Sequence, residues 1–219
     1  MSQSRRRVAV LVSGRGINLQ ALLDAAARPG YPASIALVIS NVAGAFALER
    51  AATAGVPTRV IDHRAFADRE TFDDALDAAA REAGAELICL AGFMRLLSPR
   101  FALAWRGRLL NIHPSLLPAF KGLHTHRHAL EAGVRLHGCT VHFVTPELDD
   151  GPIVAQAAVP VLAGDDEKAL AARVLAAEHR LYPLALRLVA EGRARLGDDG
   201  RVRLEDADPG GESLFNPAP

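Results

Sequence analysis

Apolar runs and amphipathic runs take turns along most of this chain. "RVAVLV" (Arg7–Val12) leads through a Gly-rich turn into "NLQALLDAAA" (Asn18–Ala27). "SIALVIS" is followed by "AFALERAATAG", and "PTRVI" by "RETFDDALDAAAREAG". "ELICLAG" and "RLLNIH" come next. In the amphipathic runs apolar residues recur at spacings of three and four, as in Phe72, Leu76 and Ala79, which is the helical period. Alternation of strand and helix predicts right-handed crossovers and a mostly parallel sheet. Strands that are apolar throughout predict a sheet covered by helices on both faces.

The second half changes character. "CTVHFVT" and "IVAQAAVPV" alternate more and flank the turn "ELDDGP", so they predict a hairpin-like, antiparallel extension of the sheet. A helical run is expected from about Asp165 to Arg195, with Pro183 kinking or breaking it. The end, "GDDGRVRLEDADPGGESLFNPAP", predicts one short strand at "RVRL" and then a frayed tail. The expected organisation is a single domain over 1–195 and a partly disordered extension over 196–219.

Composition narrows the class. The chain has 219 residues, 50% of them hydrophobic, which suffices for one sizeable core. Its formal net charge of zero asks for neither nucleic acid nor an anionic membrane as partner. No apolar run approaches the ~18 residues of a membrane span. The apolar run after Arg5, Arg6 and Arg7 is too short for a signal peptide and reads as a strand behind a solvated lead-in. Cys89 and Cys139 sit in apolar runs and read as reduced core residues of a cytoplasmic protein.

In open parallel sheets ligands bind beyond the carboxyl ends of the strands. "SGRGIN" (Ser13–Asn18) follows the first strand and opens the first helix. Small residues there let the backbone approach a ligand, and the helix N-terminus offers free N–H groups to a phosphate. The alternative is a tight turn with Asn18 as helix cap. Leu19 stands where a dinucleotide fingerprint needs glycine, and no Gly-Lys-Ser/Thr follows. Asn111 and His113, two apart at a strand end, project to one side. An amide can donate to a developing oxyanion, and an imidazole can carry a proton near neutral pH. A turn-forming Asn beside a core histidine is the plainer reading of that pair. His124, His126 and His128 resemble a metal cluster, yet no carboxylate or cysteine partner stands at ligand spacing. Surface or capping histidines are the expectation there. His142, in the alternating strand, is expected to be half-buried and paired. Asp149 and Asp150 are turn formers by position.

Taken together, "SGRGINLQAL", "AGFMRLLS", "NIHPSLLPAFKGLHTHRHALEAG", "GCTVHFVTPELDDGPIVAQAAVPV" and "ARVLAAEHRLYPLAL" resemble phosphoribosylglycinamide formyltransferase, the folate-dependent transformylase family of purine synthesis. The likeness runs from about Val8 to Gly192, in order. It implies a Rossmann-like formyltransferase fold, with a phosphate/nucleotide site in the N-terminal half and a folate site in the C-terminal half. It implies a catalytic trio of Asn111, His113 and Asp149. Gly16, Ile17 and Asn18 match the loop that holds the phosphate of glycinamide ribonucleotide (GAR), and Glu178 an acid at its ribose. Arg69, Met94, Arg95, Leu96 and Leu97 match one wall of the folate pocket. Thr145, Pro146, Glu147, Leu148 and Asp149, with Asn111, match the other. The co-substrate would be 10-formyltetrahydrofolate, with no metal. The partners would be small molecules only, acted on by a monomer or homodimer.

Two positions depart from the family pattern. Ile17 replaces a usual serine, and Lys121 stands where many relatives carry proline. Methionyl-tRNA formyltransferase and formyltetrahydrofolate deformylase share an Asn-His-Asp site. Each has a further domain for which this chain leaves no expected room. A binding module without chemistry is the alternative from another class.

Overall fold

The computed structural model of the chain describes residues 5–205 and residue 216. Five strands run parallel: β1 (Arg6–Val12), β2 (Ala33–Ser40), β3 (Thr58–Val60), β4 (Leu87–Leu90) and β5 (Leu109–His113). β6 (Leu136–Phe143) and β7 (Ile153–Pro160) continue the sheet antiparallel, as the change in patterning predicts. The spatial order is β3-β2-β1-β4-β5-β6-β7. The chain therefore winds outward from β1 in one direction and resumes on its other side at β4. The loops leaving β1 and β4 diverge, and a crevice opens between them.

Among the described residues six α-helices cover the sheet: α1 (Ile17–Ala26), α2 (Phe46–Thr53), α3 (Arg69–Glu82), α4 (Pro99–Ala104), α5 (Thr125–Glu131) and α6 (Glu167–Ala190). Period-two alternation divides the strands between two cores. Val8, Val10 and Val12 face Leu19 and Leu22 of α1 and Leu181 and Tyr182 of α6. Ala9 and Leu11 face Phe72 and Leu76 of α3, Phe101 of α4 and Trp105, which follows that helix. Tyr182 is fully buried, and its hydroxyl bonds to the carbonyls of Leu90 (3.0 Å) and Leu110 (3.2 Å), fastening α6 to β4 and β5.

Two expectations about α6 are corrected. It runs unbroken through Pro183. Leu181 and Tyr182 before the proline and Ala185 and Leu186 after it are all buried, and this packing holds the helix across the missing N–H. It also ends at Ala190, short of Arg195. Gly192 adopts φ 73°, its N–H bonds to Val189 O (3.0 Å), and the Arg193 N–H bonds to Leu188 O (2.8 Å). That is a glycine-closed helix end. The freed residues form β8 (Ala194–Leu196), which pairs antiparallel with β9 (Val202–Leu204), the strand expected at "RVRL". The hairpin crosses the boundary expected at residue 195. Most of the expected frayed tail lies outside the described residues. Asn216 is described, and its amide bonds to Arg135 O (2.6 Å) and Val161 O (2.9 Å). Among the described residues, no helix is long and apolar enough to cross a membrane.

Candidate active site

The phosphate-loop candidate is built from backbone. Gly16 precedes α1 with φ 67°. A Cβ there would lie 2.6 Å from Ala47 Cβ, so only glycine fits both the dihedral and the approach of α2. The cap position is thus Gly16 and not Asn18, and no side chain caps α1. The first N–H groups of the helix are left to a ligand. Asn18 has another task. Its amide donates to Glu178 Oε2 (2.8 Å) and ties α1 to α6. Burial pushes the Glu178 carboxyl above its usual range, and the Asn18 bond opposes that shift. Asn18 Oδ1 is buried with no hydrogen-bond partner among the described residues.

The chemistry candidate is built from side chains. Asn111 and His142 are cross-strand partners on β5 and β6. His142 is 2% exposed, more deeply buried than its alternating strand predicts. Burial holds its imidazole below the usual range, hence neutral near pH 7. Its Nδ1–H donates to Phe143 O (3.0 Å), which leaves Nε2 to accept from the Asn111 amide (3.3 Å). His142 thereby fixes which end of that amide is the donor.

His113 is 5% exposed. Its Nε2 bonds to Phe120 O (2.9 Å), and its Nδ1 lies 3.3 Å from Asp149 Oδ2. Both ring nitrogens face oxygen acceptors. Asp149 also accepts the Gly122 N–H (2.9 Å). Phe120 (φ 53°) and Asp149 (φ 48°) both hold left-handed backbone, a strain that surrounding contacts must sustain.

Those contacts are identifiable. Thr140 Oγ1 accepts from Leu117 N–H (3.0 Å) and donates to Ser115 O (2.7 Å). Gln156 Nε2 donates to Leu117 O (2.9 Å), and Thr125 Oγ1 to Pro114 O (2.8 Å). Lys121 pairs with Asp150, joining this loop to the one that carries Asp149. None of Phe120, Thr140 and Gln156 was singled out by sequence. The only signal was two polar residues in otherwise apolar strands.

The folate-wall candidates fall into two groups. Met94, Leu96 and Leu148 are more than half exposed, bare apolar surface of the kind a flat ring covers. The Met94 N–H donates to Ser13 Oγ (2.8 Å), which links the loop after β4 to the phosphate loop. Arg95 is exposed, while Leu97 is half-buried against the α3–α4 core. Arg69 is exposed at the start of α3, and Phe72 of that helix stacks on Phe93 (6.5 Å) beneath the loop. Thr145 Oγ1 bonds to Glu147 O (3.3 Å), while Pro146 and Glu147 are exposed.

The three loop histidines do not converge. His124 and His128 are exposed, whereas His126 Nδ1 bonds to His137 Nε2 (3.2 Å). His137 is 1% exposed and went unnoticed in sequence. Burial first, and then neighbouring His126, push it down to about 4. Among the described residues, no three potential metal ligands cluster.

The sequence profile described as "Formyl transferase" matches residues 6–186. The chain belongs to the formyl transferase family. Its relatives include the phosphoribosylglycinamide formyltransferase of Escherichia coli, 49% identical over 192 residues, a match covering 88% of this chain and 91% of that protein. The trifunctional purine biosynthetic protein adenosine-3 of Gallus gallus is 54% identical over 196 residues. That match covers 90% of this chain, which spans about 20% of the chicken protein's length. Among solved structures, glycinamide ribonucleotide transformylase 1 of Symbiobacterium toebii superposes with TM-score 0.89 at 51% identity, covering 92% of this chain and 95% of its own. The family's Rossmann-like fold is thus the fold of this chain. Its two departures have clear surroundings. Ile17 is the first residue of α1, where the backbone N–H groups remain. Lys121 supplies the cation that clasps Asp150.

Proposed function

We propose that this chain transfers the formyl group of 10-formyltetrahydrofolate to the amine of N1-(5-phospho-D-ribosyl)glycinamide (GAR), giving formyl-GAR and tetrahydrofolate in purine synthesis. The observation that carries this reading is the contact of His113 Nδ1 with Asp149 (3.3 Å) at the end of β5, with Asn111 linked to the same carboxylate through His142 (3.3 and 3.9 Å). It is supported by the uncapped α1 within the same crevice.

The folate supplies a formyl carbon attached to N10. As the GAR amine adds to that carbon, the formyl oxygen gains negative charge. The Asn111 amide and the His113 Nε2–H are the donors available to it, and preorganised donors act most strongly on charge that develops in the transition state. His113 exchanges the Phe120 carbonyl for the formyl oxygen when substrate arrives. Asp149, 3.3 Å from Nδ1, holds the ring in place. The bond from carbon to N10 then breaks. The proton lost by the amine ends on N10, passed by His113 alone or through a water held by Asp149. No covalent link to the enzyme is needed, because the amine is itself the nucleophile.

Gly16, Ile17 and Asn18 receive the GAR phosphate on backbone N–H groups. Glu178 accepts from the ribose hydroxyls. Met94, Arg95, Leu96, Leu97 and residues Thr145–Asp149 flank the pterin, and Arg69 lies toward the acidic tail of the folate. Holding amine and formyl carbon in contact supplies the entropic part of the rate. On this reading the chain works in the cytoplasm on small molecules.

The test follows the folate product by absorbance with GAR present and absent. Product that depends on GAR supports the transferase. Product formed equally without GAR makes the chain a hydrolase, and none in either case makes it a binding module.

A further inference from the structure

The end of the sheet opposite the active site carries a second recess, of about 330 Å³. It lies at the strand beginnings, where Arg6 opens β1, Leu87 opens β4 and Arg108 precedes β5. Arg106 and Arg195 also line it, and Glu86 is the only acid among the described residues that do. The whole chain balances 25 basic residues against 25 acidic ones, so this excess of arginine belongs to the place and not to the composition.

Glu86 is already paired with Arg6. Two of the remaining guanidinium groups, those of Arg108 and Arg195, are held by groups that leave their charge standing. Arg108 Nη2 donates to Ala104 O (2.8 Å), and its guanidinium lies 4.8 Å over the Trp105 ring. Arg195 Nε donates to the Gly192 carbonyl. Neither of these, nor Arg106, makes an ion pair among the described residues. Carbonyls and a ring face orient an arginine without neutralising it. The forks of Arg108 and Arg195 therefore stand oriented and charged beside the exposed Arg106. Planar guanidinium forks match phosphate oxygens in pairs, which a lysine cannot do. The rest of the wall is apolar, formed by Leu87, Val189 and Leu196. A recess of this size sits at the small end of ligand sites, which span roughly 300–1,000 Å³.

We propose that this recess binds a small phosphorylated anion of nucleotide size. The phosphate is held by Arg106, Arg108 and Arg195, and the organic part lies against the apolar wall. The site is separate from the α1 phosphate loop, which lies at the other ends of the same strands.

Isothermal titration calorimetry on the full chain tests this, with adenosine monophosphate and inorganic phosphate as probes. Adenosine monophosphate is expected to bind saturably and more tightly than inorganic phosphate. The R106E/R195E double variant weakens that binding at least ~10-fold. The charge-neutral R106Q/R195Q pair weakens it less, in the same direction. Both arginines are exposed, and an unchanged melting temperature checks the fold. Asn18→Asp, which sets a carboxylate at the mouth of α1, leaves this binding intact. Absence of saturable binding overturns the proposal. So does binding that survives R106E/R195E and disappears in Asn18→Asp, because the probe then occupies the active site. Equal affinity for the two probes overturns the nucleotide-sized part.

Discussion

The two walls of the crevice are made of different material. At α1 the groups offered to a ligand are main-chain N–H donors, arranged by one glycine dihedral and the direction of a helix. At the end of β5 they are side chains, each held by one or two bonds from another side chain or a loop carbonyl. A backbone site survives most substitutions so long as the chain path is kept. A side-chain site does not, because each removal leaves a buried partner unsatisfied. The replacement of a usual serine by Ile17 falls on the tolerant wall. Asn111, His113 and Asp149 lie on the intolerant one.

The contrast is broken most directly at Asp149. Asp149→Asn keeps the shape and removes the charge facing His113, so turnover should fall by about 10²–10⁴ while the circular dichroism spectrum stays native. A full-rate variant with an unchanged pH profile would detach Asp149 from the chemistry. Asn111→Ala should lower kcat by about 10²–10³. A change confined to KM would make it a binding group. Gly16→Ala attacks the other wall, since both φ 67° and the 2.6 Å approach to Ala47 forbid a Cβ. It should raise KM for GAR by roughly tenfold and cost about 1–3 kcal/mol of stability, read by denaturant titration. An unperturbed variant would show that the loop relaxes.

The side-chain wall should also feel acid. His137 sits at about 4 when folded, against 6.5 for the free side chain. A depressed histidine binds its proton more readily in the unfolded chain. Its contribution is therefore whole above pH 6.5 and drains away as pH falls toward 4. The full shift corresponds to roughly 3–4 kcal/mol at ~1.4 kcal/mol per pKa unit. His137→Gln should flatten part of the stability loss across that window, read from melting temperature against pH. His126 and His142 shift in the same direction and keep the rest. An identical slope in the variant would remove His137 from the account. The smallest effect belongs to Ile17→Ser, expected to change KM for GAR by less than ~3-fold. A much larger gain would mean that the phosphate is held by a hydroxyl after all.

Much of the fold was legible because local signals agreed with it. Runs of valine, leucine and isoleucine became covered parallel strands, and the alternating segments became β6 and β7. Pro183 misled because its effect depends on packing at both sides, which periodicity does not display. The pair Asn111 and His113 was visible from spacing two on a strand. Asp149 was not, since it reaches His113 across 36 positions of chain and a left-handed backbone. Only the family resemblance named it. Phe120 and Thr140 stayed hidden for the same reason, and so did the partner of His142, which was expected only to be half-buried and paired. Cross-strand register and a loop carbonyl give them their parts, and neither leaves a mark in local sequence.

Single-turnover rate measured against GAR concentration separates the two walls in one curve, because its plateau reports chemistry and its half-saturation reports binding. The account predicts that Asp149→Asn drops the plateau and keeps the half-saturation of the wild type, while Gly16→Ala does the reverse. A Asp149→Asn curve with a wild-type plateau and a displaced half-saturation would contradict it.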